Sequence, residues 1–440
     1  MPTGLLPGCS DEPYWLDDAG HLPSLPNQVP TSADVVVIGS GYTGLNAAIE
    51  TARGGRSTLV LDSGEIGFGC STRNGGQIST SVKPSLEKLT ARFGVEKARG
   101  IRREGETALS WIEDRISENN IECDFLRSGR YHAAHTPKHY EQLTRDAEKL
   151  TREEGIETHA ISRNEQLSEL GSNSYFGGVV FSQHASLHPA KYHRGLLNTA
   201  IAAGAHVTGQ CAALNIERTA SGFLVRTEKG KVAARDVIVA TNGYTTNLTP
   251  WLQRRVIPIG SNIIATEELP VALVDQLFPT NRIASDTCKV VYYYRASPDR
   301  RRILFGGRVS AREVGSVAGG PKLYESMCTI FPELRDYGIT HSWSGTVAYT
   351  FDELAHVGIH DGVHYAMGYC GSGVSMASYL GMRLGQKVLG SKEGETAFDD
   401  LPFSSRPLYF GRPWFLPAAV AWYQWHDRRE RAKASAMAQS

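Results

Sequence analysis

The sequence predicts an α/β protein of two interleaved parts, a discontinuous domain on a parallel sheet and an α+β domain built on an antiparallel sheet. Three observations predict it. Continuous β-branched apolar runs, the mark of strands buried on both faces, occur near the start (ADVVVIG, 33–39; STLVLDSG, 57–64), in the middle (DVIVATNGY, 236–244) and again from residue 365. Between the last two, residues 255–345 alternate polar and apolar as antiparallel strands do. A chain of 440 residues, 41% hydrophobic and 21% charged, is long enough to bury one large core or two ordinary ones.

Composition also excludes partners. Lys plus Arg equal Asp plus Glu at 46 each, so there is no global field to draw in nucleic acid or an anionic membrane. No run of 18 apolar residues is present to span a membrane, and the amino terminus shows no basic segment followed by an apolar one. The seven cysteines are scattered without a Cys-x-x-Cys pair. They read as reduced thiols of a cytoplasmic protein, and no metal site is expected.

In chain order, residues 1–32 are rich in Pro, Asp and Ser and read as an irregular arm laid over the surface. The strand at 33–39, the helical spacing of YTGLNAAIETARGG (42–55) and the strand at 57–64 form a βαβ unit. Residues 85–119 carry apolar positions at three- and four-residue intervals and read as about two amphipathic helices. Strands are expected within 121–135 and 175–182, around a charged helix near 137–154. A helix follows over 188–207, then a meander of CAALNIE, GFLVRTEKG and KVAA, and KVVYYYRASPDRRRILFGG reads as a hairpin across SPDR. The tail gives a strand, the glycine turn GYCGSGV and the helix SMASYLGMRLGQKVLG. The expected division is an arm at 1–32, one domain from 33–118, 186–254 and 346–440, and the other from 119–185 and 255–345.

GSGYTG places Gly39, Gly41 and Gly44 between a strand and a helix. In that setting the first glycine makes the tight turn, the second lets backbone approach a pyrophosphate at the helix amino terminus, and the third lets helix and strand pack closely. Asp62 ends the second strand, where a carboxylate accepts bonds from ribose hydroxyls. The fingerprint serves FAD and NAD alike. Two further stretches favour FAD: GFGCSTRNGGQIS (67–79), for which an NAD unit has no evident use, and GYCGSGV, a second glycine turn opening a helix. The parallel-sheet part is thus a discontinuous Rossmann-like FAD-binding domain, interleaved with a substrate domain.

VVVIGSGYTGLNAAIETARGG, LVLDSGEIGFGCSTRNGGQIS, VIVATNGY and YAMGYCGSGVSMASYLGMRL resemble, in order and spacing, the FAD-dependent D-amino acid oxidase/glycine oxidase/sarcosine oxidase superfamily. Within it the resemblance is nearest to the gamma-glutamylputrescine oxidases. It implies a flavoenzyme that oxidises a C–H next to an amine by hydride transfer to flavin, giving aldehyde, ammonia and, with dioxygen, hydrogen peroxide. It also implies roles for single residues. Gly39, Ser40, Gly41, Thr43 and Gly44 would touch the pyrophosphate, and Asp62 with Ser63 the adenosine ribose. Ala212 or Ala213 would meet adenine, with Ala240, Thr241 and Gly243 nearby. Cys70, Ser71, Arg73, Asn74, Gly75, Gly76 and Gln77 would follow the ribityl chain and flavin ring, and Gly371, Gly373 and Val374 would close the far side of the ring. The chain departs from the superfamily where sarcosine oxidases tether flavin by cysteine, since Val347 stands there, and the histidine tether of other members falls on Arg73 or Asn74. FAD is therefore expected without a covalent link. Ser375 replaces the lysine that holds a small amino-acid carboxylate, and the lysine that activates dioxygen is replaced near Leu304.

For the amine substrate, YYYRAS puts Tyr293 and Arg295 on one face of a strand and Tyr292 and Tyr294 on the other. A flavin cavity and an ordinary half-buried strand both explain them. Tyr293, Arg295, Trp343 and His188 stand as candidate catalytic residues against a packing role, and Arg308 as a contact for a glutamyl carboxylate against an exposed strand end. The Trp-rich segment near the carboxyl terminus, PWFLPAAVAWYQWHDRRERAKA, reads as docking on the protein itself or at an oligomer interface, against an amphipathic helix on a membrane surface. Oligomeric state stays open. Two other functions also stay open, an oxidase or dehydrogenase of secondary amines or imino acids, and a non-catalytic flavoprotein subunit.

Overall fold

The computed structural model describes residues 4–20, 22, 25–307 and 316–439. Its eight-stranded sheet grows from the βαβ unit. Strand Ser32–Ile38 pairs in parallel with Thr58–Leu61 and with Gly230–Val239, and Thr58–Leu61 continues to His206–Thr208. Val35 to Val37 and Leu59 to Leu61 are sealed from solvent, as runs covered on both faces must be. KVAA and DVIVA, expected as separate strands, are one strand, Gly230–Val239. On one face of the sheet, helix Tyr42–Arg53 packs with helix Gly373–Val388 around Leu45, Ile49, Leu380 and Leu384. A Cβ on Gly381 would overlap the Thr43 carbonyl oxygen, so this close crossing needs glycine.

The nine-stranded sheet runs, in spatial order, Leu5–Ser10, Ile339–Thr350, Val256–Thr266, Ile303–Gly307, Tyr292–Ala296, Ile283–Asp286, Arg130–Ala133, Gly178–Phe181, Thr158–Ile161. It is antiparallel except at two pairings, Leu5–Ser10 with Ile339–Thr350 and Ile283–Asp286 with Arg130–Ala133. One face packs Tyr131, Ile264, Tyr294 and Phe305 against Leu323 and Met327 of helix Ser316–Ile330. The other face looks toward the eight-stranded sheet.

The amino-terminal segment corrects the expectation of an irregular surface arm. Leu5–Ser10 is an edge strand of the large sheet, and Tyr14–Ala19 is a helix that buries Trp15 completely. A short strand paired at its two ends across an irregular register has no period to read, and its order comes from its partner. The carboxyl-terminal segment is a helix, Leu416–Gln439. It docks on the protein through the buried Asp427, whose carboxylate accepts the backbone N–H groups of Lys289 and Val290 at 3.0 Å each.

Candidate active site

GSGYTG adopts the turn its glycines permit. Gly39 has φ +108°, and a Cβ there would lie 2.8 Å from the Ala240 oxygen; a Cβ on Gly44 would overlap the Gly39 oxygen. Ala240 and Thr241 therefore sit beside the turn, at the end of the neighbouring strand, while Gly243 packs against Thr346. Gly41 opens helix Tyr42–Arg53 with no side-chain cap. Asp62 braces this turn: one of its oxygens accepts from the Ser40 N–H (2.9 Å) and hydroxyl (2.6 Å), the other from the Gly64 N–H (3.1 Å). A carboxylate has about four lone-pair directions, so roughly one stays open for a ribose hydroxyl. Ser63 is exposed, and Ala213 begins the outer strand of the meander.

Residues 67–79 then cross toward the large sheet, and their shape is held from within and from beneath. The Asn74 amide donates to the Cys70 and Ser71 carbonyls and accepts the Gly76 N–H. The Ser71 hydroxyl accepts the Tyr42 N–H at the helix start. Gln77 bridges to the Ala284 and Tyr294 carbonyls. Two buried indoles support the loop, Trp15 donating to the Asn74 carbonyl (2.8 Å) and Trp343 to the Arg73 carbonyl (3.0 Å).

Between this loop and the large sheet lies a cavity of about 870 Å³. Its floor is one pleated face of the sheet, with Val347 and Tyr349, Ile257, Ile259 and Ser261, Tyr293, Ser285, and Arg130 and His132 contributed by five of its strands. Its walls are Cys70, Ser71, Asn74, Gly75 and Gln77 on one side and Gly371, Gly373 and Val374 on the other; Phe415, Leu416, Ala419 and Tyr423 close it from the carboxyl-terminal segment. The Tyr293 hydroxyl shares a hydrogen bond with Ser261 (2.9 Å). A Cβ on Gly75 would come within 3.0 Å of the Tyr293 ring, so loop and floor nearly touch there.

The donor set suits a flavin dinucleotide. The first N–H groups of a helix have no partners within it. Helix Gly373–Val388 begins at the cavity wall, and its N-cap Ser372 gives no cap because its hydroxyl donates to the Ser81 carbonyl instead. These N–H groups, aligned with the helix dipole, fit the electron-rich carbonyl end of a flavin, and the uncapped helix at Gly41 fits a pyrophosphate. When bound, FAD supplies the electron sink, and the protein supplies position and field. Burial pushes the thiols of Cys70 and Cys370 up to about 11 each, which keeps both protonated and unreactive beside it.

Three of the four candidate catalytic side chains lie elsewhere. Trp343 is wholly buried beneath the loop rather than in the cavity. Arg295 shares the face of Tyr293, but its guanidinium donates to the Gly76, Leu187 and Ala296 carbonyls under the loop. His188 caps helix Pro189–Ala202, its Nδ1 accepting the Lys191 N–H, and its Nε2 stands 3.3 Å from Asp18; burial lowers its pKa to about 4. These are positioning residues. Arg73 lines the cavity, yet its guanidinium turns to the Phe68 carbonyl and to Glu12 at 2.8 Å. Arg308 lies outside the described residues. The residues not foreseen are Trp15, Ser261, Ser285, Arg130 and His132. The alternation of Arg130 and His132 in RYHA was the only local signal for any of them.

The chain is similar to proteins of known family over most of its length. The FAD dependent oxidoreductase family matches residues 34–387. The chain is 31% identical to the probable oxidoreductase OrdL of Rhizobium meliloti, over 96% of this chain and 98% of that one. It is also 31% identical to the gamma-glutamylputrescine oxidoreductase of Escherichia coli, over 90% and 93%. Glycine oxidase from Geobacillus kaustophilus shares the fold with a TM-score of 0.72 at 20% identity, covering 86% of this chain and 99% of that one. The chain belongs to the D-amino acid oxidase-type family of FAD-dependent oxidoreductases, and FAD is its cofactor.

Proposed function

We propose that the chain is a cytoplasmic amine oxidase that converts gamma-glutamylputrescine, or a related gamma-glutamylated amine, to the aldehyde with release of ammonia, dioxygen being the acceptor that yields hydrogen peroxide. The observation that carries this reading is the reach of the cavity. Its floor extends from strand Ile339–Thr350 to strand Arg130–Ala133, the second and seventh strands of the sheet. At about 4.8 Å per strand that is roughly 24 Å, enough for a flavin and a long, extended amine side by side. The relation to gamma-glutamylputrescine oxidoreductase over nearly the whole chain supports the same class of substrate. In this reading Tyr293 and Ser261 orient the amine end beside Gly75, and the carboxyl-terminal helix keeps water out. Non-covalent FAD is part of the proposal, with Val347 on the cavity floor and Arg73 committed to Glu12.

Anaerobic mixing of the purified yellow protein with gamma-glutamylputrescine should bleach the flavin, and air should restore the colour with peroxide. Bleaching by imino acids alone, or by no amine, would sink the proposal. Acid precipitation should leave the yellow in the supernatant.

A further inference from the structure

We infer that Arg130 binds a carboxylate at the end of the substrate remote from the reacting C–N bond. This rests on the amine-oxidase reading above and adds to it a residue for the distal group. Arg130 and His132 alternate along one strand onto the cavity face. Among the described residues the Arg130 guanidinium has no hydrogen bond or ion pair, and its Nε is sealed from solvent without an acceptor. The other inward-facing arginines are committed: Arg102 to Glu154 at 2.6 Å, Arg115 to Glu50 at 2.8 Å, Arg282 to Glu169 at 2.7 Å, and Arg295 to three carbonyls.

The surroundings leave that charge uncompensated. His132 holds the Ser285 hydroxyl at 2.9 Å and His184 holds Thr80 at 3.2 Å; burial and the nearby Arg130 charge lower the pKa of both, so both are neutral near pH 7. Burial lowers Arg130 itself to about 10, which still leaves it charged. A half-buried cation with a sealed Nε and no counter-ion is costly, and a site retains one when a ligand supplies the anion. A guanidinium presents a planar fork that matches a carboxylate.

Register sets the distance. Tyr293 pairs with Ser285, and Ser285 with His132, so Arg130 stands two strands from Tyr293 and two residues along. Two strand spacings and two residue rises combine to roughly 12 Å between Cα positions. A carboxylate directly beside the reacting carbon would not reach, whereas one at the far end of an extended acylated diamine would. Ser79, Ser81 and Thr287 line the intervening wall with hydroxyls.

The test uses the holoenzyme and a matched pair, gamma-glutamylputrescine and its analogue with the α-carboxylate converted to carboxamide. Wild-type should prefer the carboxylate in kcat/KM, and Arg130→Gln should shrink that preference by roughly 10- to 100-fold, chiefly through KM, with Arg130→Lys in between. The melting temperature of ligand-free Arg130→Gln should hold or rise, because an unpaired, half-buried charge is removed; a purely structural arginine would give a fall. An unchanged preference, or none in the wild-type, overturns the proposal. If no amine bleaches the flavin, the amine-oxidase reading fails separately. Glutarate, a non-reacting dicarboxylate, then decides: perturbation of the flavin spectrum more weakly in Arg130→Gln than in wild-type supports the carboxylate site, and equal or absent perturbation refutes it.

Discussion

Trp15 shows how a residue distant from the chemistry sets the site. Its indole N–H is the hydrogen-bond donor to the Asn74 carbonyl, and its side chain has no exposed surface. Trp15→Phe keeps most of the ring volume but leaves that carbonyl unpaired under the flavin loop, a cost of about 1–3 kcal/mol. Titration of the apoprotein with FAD should show roughly tenfold weaker binding, and unchanged affinity would remove Trp15 from the loop's support. None of this was legible in YWLDDA, where an apolar aromatic next to acidic residues has no visible partner 59 positions away.

At the scale of elements, helix Leu416–Gln439 is both roof and clamp. Asp427 holds the 289–290 backbone, Arg431 donates to Cys288 and faces Asp286 at 3.6 Å, and Glu430 gathers His135, His139 and His426 within 3.3 to 3.6 Å. Asp427→Ala removes two charge-assisted hydrogen bonds and leaves two N–H groups unpaired, destabilising the docked helix by about 2 kcal/mol or more. Because Tyr423 and Phe415 line the cavity, KM for the amine should rise more than kcat falls. Limited trypsin digestion should also cleave faster at Arg428 and Arg429; wild-type resistance would show that Asp427 is not the clamp. Trp414, Trp422 and Trp425 lie on this helix or just before it and are exposed; the helix docks through Asp427, Glu430 and Arg431 rather than by burying the tryptophans. The helices at 86–93, 95–118, 137–154 and 373–388 were readable because their apolar spacing repeats every turn.

For the whole molecule, several histidines are buried neutral. Burial lowers His132, His135 and His188 to about 4 and also lowers His184, His193 and His364. Their unfolded value is near 6.5, so below that pH the unfolded chain binds more protons than the fold, and stability falls as pH drops from 6.5 toward 4. Asp286, raised by burial to about 6, and Glu106, also raised by burial, work in the opposite direction but are two groups against six. The melting temperature should therefore fall steeply between pH 6.5 and 4.5. His188→Asn keeps an N-cap acceptor for helix Pro189–Ala202 while removing one titration, and should flatten the decline by an amount on the order of 1–3 kcal/mol. A pH profile identical to wild-type would acquit His188.

The sequence by itself determined the βαβ unit with Gly39, Gly41 and Gly44, the glycine-rich loop at 67–79, the second glycine turn before Gly373 and the amphipathic helices. Each is written in residues close together in the chain, where period, turn chemistry and spacing act locally. Only the tertiary structure decided that Tyr293 faces the cavity while Arg295 on the same face is consumed beneath Gly76. It alone put Trp343 and His188 in supporting roles, made Leu5–Ser10 a strand, and left Arg130 without a counter-ion among the described residues. Those outcomes depend on which strands become neighbours and in which register, and burial and partners from across the chain, rather than local preference, decide both.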